Sequence, residues 1–210
     1  MIRELLFKDV DGAYHADPHV VIDGAVAHPG YRDRIPALRA VLEDAGAERY
    51  HRFLAVVALA AWGHGPVYGL ITGLAGLGEG SPWFGMLAED GRDTTFATVA
   101  GAVGEGRAFT EGEDERARVA ALRALLDRAD VLAFGWELAH AVAGPEFADD
   151  IAVLVDRAAE TSPLPLQLAD LVTALARHDR ERAVPLARRL LRRDSGRSLR
   201  IHLATVVPYA

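Results

Sequence analysis

Apolar side chains recur along most of the chain at intervals of three and four residues, the spacing that gathers them on one face of an α-helix. Ile35, Leu38, Leu42 and Ala45 lie opposite Arg34, Arg39, Glu43 and Asp44, and Val119, Leu122, Leu125 and Leu126 run between Arg116, Arg118, Arg123 and Arg128. Fuller stripes follow at Phe147, Ile151, Leu154, Val155 and Ala158, and at Leu164, Leu168, Leu171, Val172 and Leu175. The strict alternation of a half-buried strand is nearly absent. Only residues 200–207 are rich in β-branched side chains, and there Leu199, Leu203 and Val206 keep the helical spacing, so a last helix is expected. The pattern predicts an all-α protein of around ten helices with no sheet of consequence.

Breaks fall between the stripes. Gly65-Pro66 and Gly144-Pro145 are 79 residues apart, and Ser81-Pro82 and Ser162-Pro163 are 81 apart. Proline suits a helix's first turn, where its missing N–H has no intrahelical partner, and a preceding serine can cap. Two repeats of about 40 residues would give this spacing. Residues 53–78 contain no charged side chain, long enough for a membrane span. Gly63-His64-Gly65-Pro66 at its centre would break such a helix, so two buried helices joined by a tight turn are expected instead.

The C-terminal part carries the clearest repeat. Leu168-Ala169-Asp170-Leu171-Val172-Thr173-Ala174-Leu175-Ala176-Arg177, then His178-Asp179-Arg180-Glu181-Arg182-Ala183-Val184-Pro185-Leu186, then Leu190-Leu191-Arg192-Arg193-Asp194 resembles a HEAT repeat. Ile35-Pro36-Ala37-Leu38-Arg39-Ala40-Val41-Leu42-Glu43-Asp44, with the helix ending Leu59-Ala60-Ala61-Trp62-Gly63, is a weaker echo. The resemblance implies antiparallel helix pairs stacked as a short α-solenoid over residues 1–210 as a single domain. A Gly-rich middle, 78–112, departs from it. Such repeats serve mainly as binding surfaces.

Composition narrows the chemistry. The chain has no Cys, which excludes disulfides, thiolate metal sites and a Cys nucleophile. It has no Asn, one Gln (Gln167) and one Lys (Lys8) beside abundant Ala, Arg and Gly, the bias of a GC-rich bacterial genome. The N-terminus lacks the basic and apolar regions of a signal peptide, so a soluble cytoplasmic protein is expected.

No catalytic set emerges. Asp9, Asp11, His15, Asp17 and His19 offer oxygen and imidazole ligands, but they match neither the calcium-loop nor the zinc-helix pattern; a polar loop with Asp17 capping the next helix is expected, with no metal. Glycines 63, 65, 69, 73, 76, 78 and 80 lack the Lys-Ser/Thr of a phosphate loop and are assigned to turns and close helix packing, so no cofactor is expected. Pro82 after Ser81 excludes a nucleophile elbow. Trp62 and Trp136 fall in apolar helices and should be buried, whereas Trp83 beside Phe84 should be the exposed one. Glu137 and His140 are spaced as an acid and base pair, although a helix-face Glu beside a satisfied His is the simpler account.

Charge is more telling. Residues 177–200 hold nine Arg and three acids, a local net of +6 in a chain of net −7. Arg188 with Arg192 and Arg189 with Arg193 stand at i, i+4 on one helix, suited to phosphate or carboxylate. Opposite in sign are Glu111, Glu113, Asp114 and Glu115, and the pair Asp149 and Asp150. These arginines and the 111–115 acids are the expected contacts of a non-enzymatic scaffold that binds another protein, as an adaptor, inhibitor or immunity-type protein. A HEAT-like DNA glycosylase for alkylated bases is the alternative, disfavoured by the net negative charge.

Overall fold

The computed structural model of the chain describes residues 1–89 and 91–208. Twelve α-helices, four short 3-10 helices and one hairpin of two-residue strands make up its regular structure among those residues, so the protein is all-α. The chain divides into two compact units, Met1–Gly73 with Gly101–Ala121, and Leu74–Ala100 with the residues from Leu122 onward.

The first unit contains α1 (Ile2–Leu6), α2 (His19–Asp23), α3 (Ile35–Glu43), α4 (Arg49–Ala61), the start of α5 (Gly65–Leu77), the end of α6 (Thr95–Glu105) and the start of α7 (Gly112–Leu126). Helix α4 is its axis. All nine residues from Phe53 to Ala61 are buried, as in a helix that is apolar all round, and α1, α2 and α3 pack on it. The helix ends at a left-handed Gly63 (φ 75°): the Gly63 N–H donates to Ala60 and the His64 N–H to Leu59, which satisfies the last carbonyls. A Cβ on Gly63 would lie 2.6 Å from that of Phe109. Residues 53–78 are therefore two helices and a turn, as expected, but only the α4 part is buried throughout, since α5 leaves Leu70 and Leu77 exposed; among the described residues no helix is long and apolar enough to cross a membrane.

The second unit holds the hairpin of β1 (Ala88–Glu89) and β2 (Arg92–Asp93), then α8 (Glu137–Ala141), α9 (Ala148–Ala158), α10 (Pro165–Leu175), α11 (Arg180–Arg193) and α12 (Arg197–Leu203). Neither Ser-Pro pair caps a helix as expected: Ser162 Oγ accepts the Leu164 N–H at 3.1 Å and Ser81 Oγ that of Trp83 at 3.3 Å, which closes local turns, and α10 begins at Pro165 with no side-chain cap. Asp179 caps α11 by accepting the Arg182 N–H. Helix α10 packs on α9, α11 and α12, and α9 packs on α11. Leu199, Leu203 and Val206 are buried, so the C-terminal segment is helical rather than a strand. Within the Gly-rich middle α6 begins at Thr95, where the Asp93 carboxylate accepts the N–H, and a 3-10 turn, Gly106–Phe109, follows its end.

The glycines of α5 correct one expectation. Gly65 and Gly78 are needed for close approach: a Cβ would come within 1.8 Å of the Asp114 carboxylate in one case and 2.8 Å of the Arg128 guanidinium in the other. Gly69, Gly73, Gly76 and Gly80 have nothing within 4 Å of such a Cβ, so helix packing does not explain them. Glycine inside a helix costs about 0.5–1 kcal/mol against alanine. Gly69→Ala, Gly73→Ala and Gly76→Ala together should therefore raise stability by about 2 kcal/mol. An unchanged or lowered urea midpoint would refute this.

Candidate functional site

The arginines of α11 divide into two faces. Arg189 Nε donates to Glu160 at 2.9 Å and its Nη1 to Asp156 at 2.7 Å, holding α11 on α9, and Arg193 Nη1 donates to the Ala159 and Ser162 carbonyls at 3.0 and 2.9 Å. The Glu160 carboxyl is held below its ordinary value by the Arg189 hydrogen bond. Arg188 and Arg192, one face further round, are exposed and carry no ion pair or hydrogen bond among the described residues. The four-arginine ridge is thus half structural, with Arg188 and Arg192 open to a partner.

The acidic run behaves likewise. Glu111, Glu113 and Asp114 are exposed, but Asp114 rests on Gly65 at the start of α5, where the helix dipole favours a carboxylate. Glu115 grips Arg118, which is 1 % exposed, through two hydrogen bonds of 2.7 Å, and accepts a third from Thr110 Oγ1 at 2.6 Å. Asp149 pairs with Arg182 at 2.6 Å and Asp150 with Arg123 at 2.9 Å. Near the N-terminus, Asp9 accepts the N–H groups of Asp11 and Ala13 and contacts His15 Nε2 at 3.0 Å, while Asp17 accepts the His19 N–H just ahead of α2, whose N-cap position is Pro18 rather than Asp17. The His15 hydrogen bond leads the effects that hold the Asp9 carboxyl below its ordinary value. Among the described residues no three His, Asp or Glu side chains are grouped to hold a metal ion.

Trp62 is buried, as expected, but Trp83 and Trp136 exchange their expected places. Trp83 is 6 % exposed and Trp136 is 65 % exposed. Trp136 was expected inside an apolar helix, but Gly135 adopts φ 56° and α8 starts after it, so Leu138 and Ala139 turn inward and Trp136 outward. His140 stands edge-on to the indole, with ring centres 5.9 Å apart. Glu137 and His140 make no hydrogen bond or ion pair with one another.

Trp136 lines an open cleft of about 1030 Å³ in the second unit. Its walls are the β1–β2 hairpin, the first residues of α8, the start of α10 from Pro163 to Gln167, the bend at Asp194 and Gly196, and α12. Among the described residues five carboxylates line it, those of Glu89, Asp93, Glu137, Asp170 and Asp194, against the single guanidinium of Arg92. His202 Nδ1 meets Asp170 Oδ1 at 2.7 Å, an arrangement suited to proton transfer, and Ser198 lies one helical turn earlier. The structure records no hydrogen bond between Ser198 and the imidazole. Asp170 and His202 are 32 residues apart, and only the packing of α12 on α10 brings them together. The chain matches no protein-family model, no curated protein and no solved structure.

Proposed function

We propose that the chain is a HEAT-like, non-catalytic scaffold that binds another protein, of the adaptor, inhibitor or immunity type. The observation that supports this reading is the contact order of the second unit. From α8 to α12 the principal contacts run to the next helix or the next but one: α8 to α10, α9 to α10 and α11, α10 to α11 and α12, α11 to α12. That nearest-neighbour order is how stacked helical hairpins pack, and such arrays present side chains to partners along their faces. Glu111 and Glu113 in one unit and Arg188 and Arg192 in the other are the charges left for that purpose.

The full chain, immobilised and exposed to an extract of cells that express it, should retain one protein in near-stoichiometric amount. An Arg188→Ala, Arg192→Ala variant or a Glu111→Gln, Glu113→Gln variant should retain at least tenfold less, since contacts of charged pairs commonly contribute more than 1.4 kcal/mol. The glycosylase reading predicts instead tight binding of fluorescent duplex DNA that weakens steeply with salt, together with release of an alkylated base. That result would replace the scaffold reading.

A further inference from the structure

We propose that the cleft beside α8 and α12 is the docking site for an extended, arginine- or lysine-bearing segment of a partner protein. The inference rests on the scaffold reading and names the partner's chemistry.

Its first support is the concentration, among the described residues, of carboxylates without an ion pair along one cleft. Around α9 and α11 the carboxylates of Asp149, Asp150, Asp156 and Glu160 are each met by an arginine of the same unit. In the cleft, Glu137 and Asp194 have no ion pair among the described residues, and Asp170 meets only His202. Asp194 uses Oδ1 to accept the Gly196 N–H, and Asp170 uses Oδ1 for the imidazole, so each keeps a second oxygen for a donor from outside. A cationic side chain would provide there what arginines provide elsewhere in the unit.

The second support is Trp136. Among the described residues its indole is the most exposed large aromatic surface of the unit, it lies in the cleft wall, and the edge-on contact with His140 steadies its orientation. An indole face attracts a guanidinium or ammonium ion, and Glu137 is the next residue in the chain. Leu166, 39 % exposed, adds apolar surface for the methylene stem that such side chains carry. A volume of about 1030 Å³ that is open to solvent suits several residues of extended chain better than one enclosed small molecule. Five carboxylates repel a phosphate backbone, so this cleft is no groove for nucleic acid.

The probe is a fluorescein-labelled decapeptide of alternating arginine and leucine, with a counterpart carrying uncharged citrulline for arginine. Added to the full chain, the arginine peptide should bind and quench the exposed Trp136, and the citrulline peptide should bind at least tenfold more weakly. Trp136→Ala should weaken binding about tenfold, and Glu137→Gln with Asp194→Asn by a similar factor, each corresponding to about 1.4 kcal/mol. These side chains lie at the surface, and circular dichroism should show the helices intact. Equal binding of the two peptides, no binding of either, or undiminished binding by the variants would overturn the proposal. Displacement by equimolar spermidine would overturn it in favour of a small-cation site. Concentration-dependent self-association abolished by Arg188→Ala, Arg192→Ala would make the occupant a second copy of this chain and overturn it too. A captured protein partner still retained by Trp136→Ala and Glu137→Gln would sink the cleft alone. Peptide binding with no captured partner would sink the scaffold reading alone.

Discussion

Glu115→Ala is expected to destabilise the protein by about 3–5 kcal/mol, because it strands a buried guanidinium. Arg118 is 1 % exposed, and apart from a 3.4 Å hydrogen bond to the Val103 carbonyl its partners are the two oxygens of Glu115. Arg118→Met should be far milder, at about 1–2 kcal/mol. It removes the buried charge, keeps most of the volume, and leaves a carboxylate that is one-third exposed and still held by Thr110. The ordering of the two variants separates stranded charge from lost packing, which predicts the reverse order. The pair also sets a pH dependence. Hydrogen bonding from Arg118 holds the Glu115 carboxyl below its ordinary value of 4.5. Since the folded value is the lower one, its stabilisation is full above the ordinary value and is lost as the pH falls through the folded value. Wild type should therefore lose more stability than Glu115→Gln on acidification below about pH 4.5. Equal urea midpoints for Glu115→Ala and Arg118→Met at neutral pH would remove the basis of this account.

The helical class was legible because period, breaks and composition agree. Stripes such as Ile151, Leu154, Val155 and Ala158 allow only one buried face, and the breaks at Gly63 and Ser162 fall where the chain turns. What stayed hidden depends on partners remote in sequence. Arg189 and Arg193 read as a free ridge because their acceptors, Asp156, Glu160 and the end of α9, lie about 30 residues upstream and are reached only when α11 packs on α9. Trp136 was misplaced for a local reason that was visible, the glycine before it, whose left-handed conformation ends one run and starts another. Its exposure, like the meeting of Asp170 with His202, follows from tertiary packing that no spacing rule contains. The cleft therefore had no signature in the sequence.

One residue that the composition singled out has a structural role of the same hidden kind, and its loss should have the second large effect. Gln167 is 6 % exposed, and its amide serves three backbone groups of the segment between α7 and α8: Oε1 accepts the Phe134 N–H at 2.6 Å, and Nε2 donates to the Ala129 and Leu132 carbonyls at 2.6 and 3.0 Å. Leucine at this position fills the space but leaves all three groups without a partner. Each buried orphan costs about 1–3 kcal/mol, and water entering the loosened segment recovers part of that, so Gln167→Leu should cost about 3–5 kcal/mol. Glutamate should behave in a way that identifies the cause. One oxygen can still accept from Phe134, whereas the other would face two carbonyl lone pairs unless it is protonated. The folded state then favours the protonated acid, so Gln167→Glu should be destabilised at neutral pH and regain stability as the pH falls, the opposite slope to that of Glu115. Gln167, Gly135 and Trp136 line the same cleft, so Gln167→Leu should also broaden the environment of the exposed indole and weaken the arginine peptide without touching its carboxylates. Urea titration followed by tryptophan fluorescence, with hydrogen exchange at the Phe134 amide, reads all of this. A Gln167→Leu protein with the wild-type midpoint and a protected Phe134 amide would show that the segment is held by other contacts.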